Sequence, residues 1–83
     1  MVYYAKVPLR DFIPTVLVRL ATDDGEIVFR ARWRNSALEM QRNILFRLRH
    51  GRLLWFEDEW GHNLCFKSER VWAAMVDGRR QEH

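Results

Sequence analysis

Two alternating runs of residues joined by a tight turn dominate the first half of this 83-residue sequence. The stretch 16–33, VLVRLATDDGEIVFRARW, is largely apolar at every second position on both sides of Asp24-Gly25. Side chains in a strand alternate between the two faces of a sheet, and a glycine supplies the positive φ that a tight hairpin turn requires. The pattern predicts a β-hairpin with strands at about 15–22 and 26–34.

The second predicted strand separates its side chains by chemistry. Ile27, Phe29, Ala31 and Trp33 share one face, and Val28 shares the other face with three arginines. Arginine favours bidentate contact with phosphate or carboxylate, and a neighbouring strand can add a fourth arginine if the register allows it. The predicted anion- or nucleic-acid-binding residues are Arg19, Arg30, Arg32 and Arg34. An arginine-rich face that merely keeps a sheet soluble is the competing interpretation.

A helix is predicted at 37–50. Ser36 and Glu39 have the spacing of a capping box at its start, and Gly51 suits the residue that ends a helix. The apolar arc predicts that Leu38, Ile44, Leu45 and Leu48 pack against the sheet. An alternative remains open, because Ile44 to Arg49 also alternates and could form a strand that turns at His50-Gly51.

Three further strands are predicted at 53–56, 64–66 and 71–76. The first has apolar residues on both faces, which is typical of a central strand, and Cys65 in the second is expected to be a buried thiol. The fold class is therefore α+β, in the order β-β-α-β-β-β. Five antiparallel strands form a strongly bent sheet or a small barrel with one helix, and the alternative is a nearly all-β meander. Residues 1–78 form one domain, and 79–83 form a frayed tail.

Composition excludes several functional classes. A single cysteine leaves no internal disulfide and favours a reducing compartment, and no run approaches the roughly 20 apolar residues that span a bilayer. We expect a cytoplasmic protein with no membrane partner. His50, His62 and His83 lack metal-ligand spacing, and the four glycines are isolated rather than grouped in a phosphate-binding loop. No metal, no cofactor and no catalytic residue is predicted, so we expect the protein not to be an enzyme.

The aromatic residues exceed what one small core needs. The chain has four tryptophans and five phenylalanines, and some of that surplus is expected in a subunit interface. Residues 1–56 carry ten Lys and Arg against five Asp and Glu, whereas 57–83 carry four against six, so the two parts could attract each other between subunits. The predicted interface residues, which lack an obvious place in the regular core, are Phe46, Trp60, Tyr3 and Tyr4. The alternative for Trp60 is that its ring folds back over the sheet or covers Phe66.

These features predict a class of function. The leading hypothesis is a small binding or regulatory module, of the kind encoded by bacteria or phages, that acts through self-association and partner contacts. A homodimer is the expected oligomer. The alternative hypothesis is an RNA-, DNA- or nucleotide-binding module that uses the arginine-rich face of its sheet.

Overall fold

The computed structural model describes residues 14–78, which form five strands and one helix in the predicted order. The α+β class is confirmed, and the meander is wrong because residues 44–49 are helical. Tyr3, Tyr4 and the predicted tail lie outside the described residues. The strands are β1 (Thr15–Thr22), β2 (Gly25–Arg32), β3 (Leu54–Glu57), β4 (Asn63–Phe66) and β5 (Val71–Asp77); the helix is α1 (Ala37–Arg49), and a 3₁₀ turn (Ser68–Arg70) precedes β5.

The hairpin of β1 and β2 forms as the alternation predicts. Thr15 pairs with Arg32 at its open end and Thr22 with Gly25 at the turn. The Thr22 hydroxyl donates to the Gly25 carbonyl at 2.8 Å and accepts from the Asp24 N–H at 3.1 Å. Gly25 adopts φ 113°, which a side chain would oppose. The second strand ends two residues earlier than predicted, so Arg34 lies beyond its end.

The five strands divide into two sheets. β2, β1 and β5 form a three-stranded antiparallel sheet in that order, and β3 and β4 form a separate hairpin. A single bridge between Ala31 and Asp58 links the two sheets. The strands therefore bend around the core without closing into a barrel.

The β3–β4 hairpin stacks on the larger sheet instead of extending it. The Phe29 ring of β2 lies 5.1 Å from the Phe56 ring and 6.0 Å from the Phe66 ring, measured between centroids. Because this stacking covers only one face of the hairpin, its other face is open. Trp55 is 57% exposed and Cys65 is also exposed. The predictions of a central strand at 53–56 and of a buried thiol are therefore wrong.

The hydrophobic core lies between the three-stranded sheet and a second layer. Val18 and Leu20 of the central strand β1 are completely buried. The helix covers this sheet on the β5 side, and the β3–β4 hairpin covers it on the β2 side. Burial of each large aliphatic side chain in this layer stabilises the fold by about 1.5–3 kcal/mol.

Helix α1 begins as predicted, and two of its four predicted core residues face the core: Ile44 is buried, and Leu48 is partly buried against the core cluster. The Ser36 hydroxyl accepts from the Glu39 N–H at 3.2 Å, as expected of an N-cap. Met40 and Ile44 are the buried helix residues. Leu38 and Leu45 are 58% and 45% exposed, so the prediction that they pack against the sheet is wrong. The apolar arc of the helix is wider than the surface available to cover it. Contact with β5 and β3 buries only the side of the arc that carries Met40 and Ile44.

Candidate protein-binding site

The turn between β3 and β4 is built around the side chain of Asp58. Its carboxylate Oδ1 accepts from the Trp60 N–H at 2.9 Å and from the His62 N–H at 2.8 Å. Across the turn, the Asp58 N–H donates to the His62 carbonyl at 2.9 Å, and the Gly61 N–H donates to the Asp58 carbonyl at 3.0 Å. An aspartate that accepts from backbone groups two and four residues later replaces hydrogen bonds that the turn itself lacks. These contacts hold residues 58–62, which we name the Trp60 turn, in one conformation.

Arg32 of β2 attaches this turn to the body of the protein. Its guanidinium donates to the Glu59 carbonyl at 3.1 Å and pairs with the Glu57 carboxylate at 3.4 Å. Gly61 lies against the same guanidinium, since an added Cβ would be 3.7 Å from its Nη2. Gly61 also has φ 87°, a conformation that side chains disfavour. Arg32 thus stabilises the Trp60 turn rather than presenting a free cation.

Trp60 is the most exposed large apolar side chain of the described residues, at 73%. Its backbone is held by the Asp58 carboxylate, while its indole extends into solvent. Tryptophan on a fixed backbone loses little conformational entropy when it binds, and tryptophan is enriched at the energetic centres of protein interfaces. The turn is therefore well suited to carry a protein contact.

A groove lies beside the turn, between α1 and β3. Its volume is about 180 Å³. The buried side chains of Met40, Ile44, Leu54 and Phe56 form its floor, and its rim consists of Arg32, Trp33, Asn43, Arg47, Trp55 and Glu57. Arg47 is held at the rim because its Nε donates to the Asn43 Oδ1 at 2.9 Å.

Phe46 and the Trp60 turn are separate features of the surface. Phe46 is 54% exposed, and its ring lies 4.4 Å from that of His50, between centroids. It is not among the residues that line the groove. The predicted interface set thus divides into the Trp60 turn, Phe46 on α1, and two tyrosines outside the described residues.

The structure does not assemble the four predicted anion-binding arginines into a row of free cations. Arg19 pairs with Glu26 at 3.4 Å, and Arg32 pairs with Glu57. The Arg30 guanidinium donates to the Thr15 hydroxyl at 3.2 Å. Arg34 is exposed beyond the end of β2. The register of β1 and β2 places Glu26 within reach of Arg19, and the bridge from Ala31 to Asp58 brings Glu57 to Arg32.

Sequence reasoning missed the groove and the role of Arg32. The groove combines residues from β2, α1 and β3, which no local spacing connects. The Trp60 turn did leave a signal, since Asp58 and Gly61 flank Trp60 in a polar stretch. The acidic stretch around Trp60 offers few strand neighbours to bury its side chain, and this is the sequence signal for an exposed tryptophan.

Comparison with known proteins supplies no relative for this chain: no family model, curated protein or solved structure matches it. Within residues 14–78, no cluster of His, Cys, Asp or Glu side chains could hold a metal ion. The described part of the chain also has no helix with the length and apolar character needed to cross a membrane. The geometry of the Trp60 turn is therefore the main basis for assigning a function.

Proposed function

We propose that this protein is a non-enzymatic binding module that acts through self-association, with the Trp60 turn as its main contact surface. The observation that carries this proposal is the 73% exposure of Trp60 on a turn whose backbone is fixed by Asp58. Exposing an indole to water costs free energy in proportion to the apolar area that stays uncovered. A partner that covers this ring recovers that free energy without first ordering the turn.

Charge distribution favours a second copy of the chain as the partner. The strand end and turn at 57–59 carry three carboxylates, whereas α1 carries three arginines and one glutamate. A symmetric dimer brings the same pair of surfaces together twice, so opposite charges on one chain become complementary between two chains. The same surfaces could also receive a different protein, but self-association needs no additional component.

The proposal predicts a concentration-dependent dimer. Light scattering coupled to size-exclusion chromatography, from low to high micromolar protein, should show the mass rising from that of one chain toward that of two. Association at these concentrations is expected for an interface with one or two energetic centres. A monomer at high micromolar concentration would reject self-association as the function.

Nucleic-acid binding is the second candidate function. Exposed arginines favour the helix, rather than the sheet, as the binding surface. Arg42 and Arg49 are exposed on α1, and neither side chain has a hydrogen-bond or ion-pair partner within the described residues. They are seven residues apart and so lie on one face of the helix. Three of the four predicted sheet arginines, in contrast, already have partners: Arg19 pairs with Glu26, Arg32 pairs with Glu57, and Arg30 donates to the Thr15 hydroxyl.

This second candidate makes a prediction that separates the two arginine groups. Replacing Arg42 and Arg49 by glutamate should lower the salt concentration that elutes the protein from a heparin or phosphocellulose column. Replacing Arg19, which already pairs with Glu26, should lower it less. Binding dominated by phosphate contacts also weakens steeply with salt. If the wild type elutes no later than a control protein of equal isoelectric point, the nucleic-acid candidate is wrong.

A further inference from the structure

We propose that the indole of Trp60 inserts into the groove between α1 and β3 of a second copy, and that the second copy returns the same contact. This inference rests on the proposed function and specifies which surface receives the Trp60 turn. It is carried by the size of the groove, its position beside the turn, and the charges around both.

The size of the groove fits one aromatic side chain. Pockets that bind drug-sized ligands and cofactors usually enclose about 300–1,000 Å³, and this groove encloses about 180 Å³. A dry apolar cavity of about 150 Å³ is sufficient to hold a benzene molecule. The apolar floor of Met40, Ile44, Leu54 and Phe56 would cover the ring of an inserted indole.

The groove and the turn are adjacent on one side of the molecule. Arg32 and Glu57 line the groove, and the Arg32 guanidinium also contacts the Glu59 carbonyl of the turn. Trp60 is not among the lining residues of its own groove. A two-fold axis close to Arg32 and Glu57 would therefore place each turn over the groove of the other copy. Such a closed contact uses both copies of each surface and leaves none open to build a fibre.

Charge at the rim supports the same arrangement. The Glu59 carboxylate has no partner in residues 14–78, and it lies next to Trp60. Arg32 at the rim is already paired with Glu57, whereas the polar partners of Arg47 among the described residues are an amide oxygen and a backbone carbonyl. A guanidinium has five N–H groups, and those of Arg47 that remain can donate to a carboxylate. Insertion of Trp60 would bring Glu59 of one copy toward Arg47 of the other.

The first test blocks the groove without touching the turn. Asn43 is exposed at the rim, so Asn43→Trp should fill the groove and weaken dimerisation at least tenfold. Leu38→Trp is the matched control, because Leu38 is uncharged, is 58% exposed on the same helix and lies outside the groove lining. We expect this control to dimerise within about twofold of the wild type. Far-UV circular dichroism checks that both variants keep their fold.

The second test mixes two variants that should each fail to dimerise. Asn43→Trp keeps Trp60 but has a blocked groove, and Trp60→Ala keeps an open groove but has no indole. Their heterodimer restores one of the two reciprocal contacts. Native mass spectrometry of the mixture should therefore show heterodimer in at least tenfold excess over either homodimer. No such excess, with both variants folded, would overturn the inference.

A charge exchange gives an independent readout. Arg47→Glu should weaken dimerisation about two- to fivefold, the size expected of an exposed ion pair, and adding Glu59→Arg should restore it.

Failure of the inference and failure of the proposed function are distinguishable. If the wild type is monomeric, both are wrong. If it dimerises and Trp60→Ala weakens the dimer while Asn43→Trp does not, self-association stands and the groove is not the receptor.

Discussion

Replacement of Trp60 by alanine is expected to weaken dimerisation by about 2 kcal/mol or more, which is roughly a 30-fold increase in the dissociation constant. The reason is that the indole is 73% exposed in one copy and would be covered in the dimer. The backbone of the turn should be unchanged, because Asp58 binds the Trp60 N–H and not its ring. Sedimentation equilibrium of both proteins measures the difference directly.

Trp72 provides the matched control for this experiment. It is 71% exposed on β5, in the other sheet and away from the Trp60 turn. Trp72→Ala removes an indole of nearly equal exposure, so a general loss of surface hydrophobicity would affect both variants alike. We expect its effect on dimerisation to be less than about threefold, in line with an exposed residue outside an energetic centre. An equal or larger effect of Trp72→Ala would mean that Trp60 is not the main contact.

Replacement of Ile44 by alanine is expected to lower the free energy of unfolding by about 2–5 kcal/mol. The Ile44 side chain is 1% exposed and lies in the core cluster between the helix and the sheet. Its removal loses buried apolar area and leaves a cavity that the surrounding strands can fill only in part. Urea unfolding at a concentration where the protein is monomeric gives the value from the change in midpoint.

Leu45, the next residue of the helix, is the control for the Ile44→Ala measurement. It is 45% exposed, although the apolar arc of the sequence includes it as readily as Ile44. Leu45→Ala should cost less than about 1 kcal/mol, since a half-exposed side chain leaves no closed cavity and alanine favours the helix. A larger loss for Leu45→Ala than for Ile44→Ala would show that the helix is rotated from the position described.

Local signals in the sequence predicted the elements and their order. Alternation and the Asp24-Gly25 turn predicted the first hairpin, and its register places Thr22 opposite Gly25. The Ser36 cap and Gly51, which has φ 66°, predicted both ends of α1 to within one residue. These features depend on hydrogen bonds and backbone angles within a few residues. Such interactions are available to the chain before it packs, so the sequence can report them.

Packing between segments that are distant in the sequence determined the geometry of the candidate site. Arg32 has the sequence pattern of an outward cation, but the bridge from Ala31 to Asp58 brings Glu57 and Glu59 to it from 25 and 27 residues away. The groove likewise exists only because α1 and β3 meet beside the end of β2. The sequence by itself determined five strands and one helix, and it left open whether the Trp60 ring is exposed or folds back over the sheet. Only the tertiary structure decided which apolar side of the helix is covered and which arginine is neutralised, because both depend on which surfaces meet after the elements have formed.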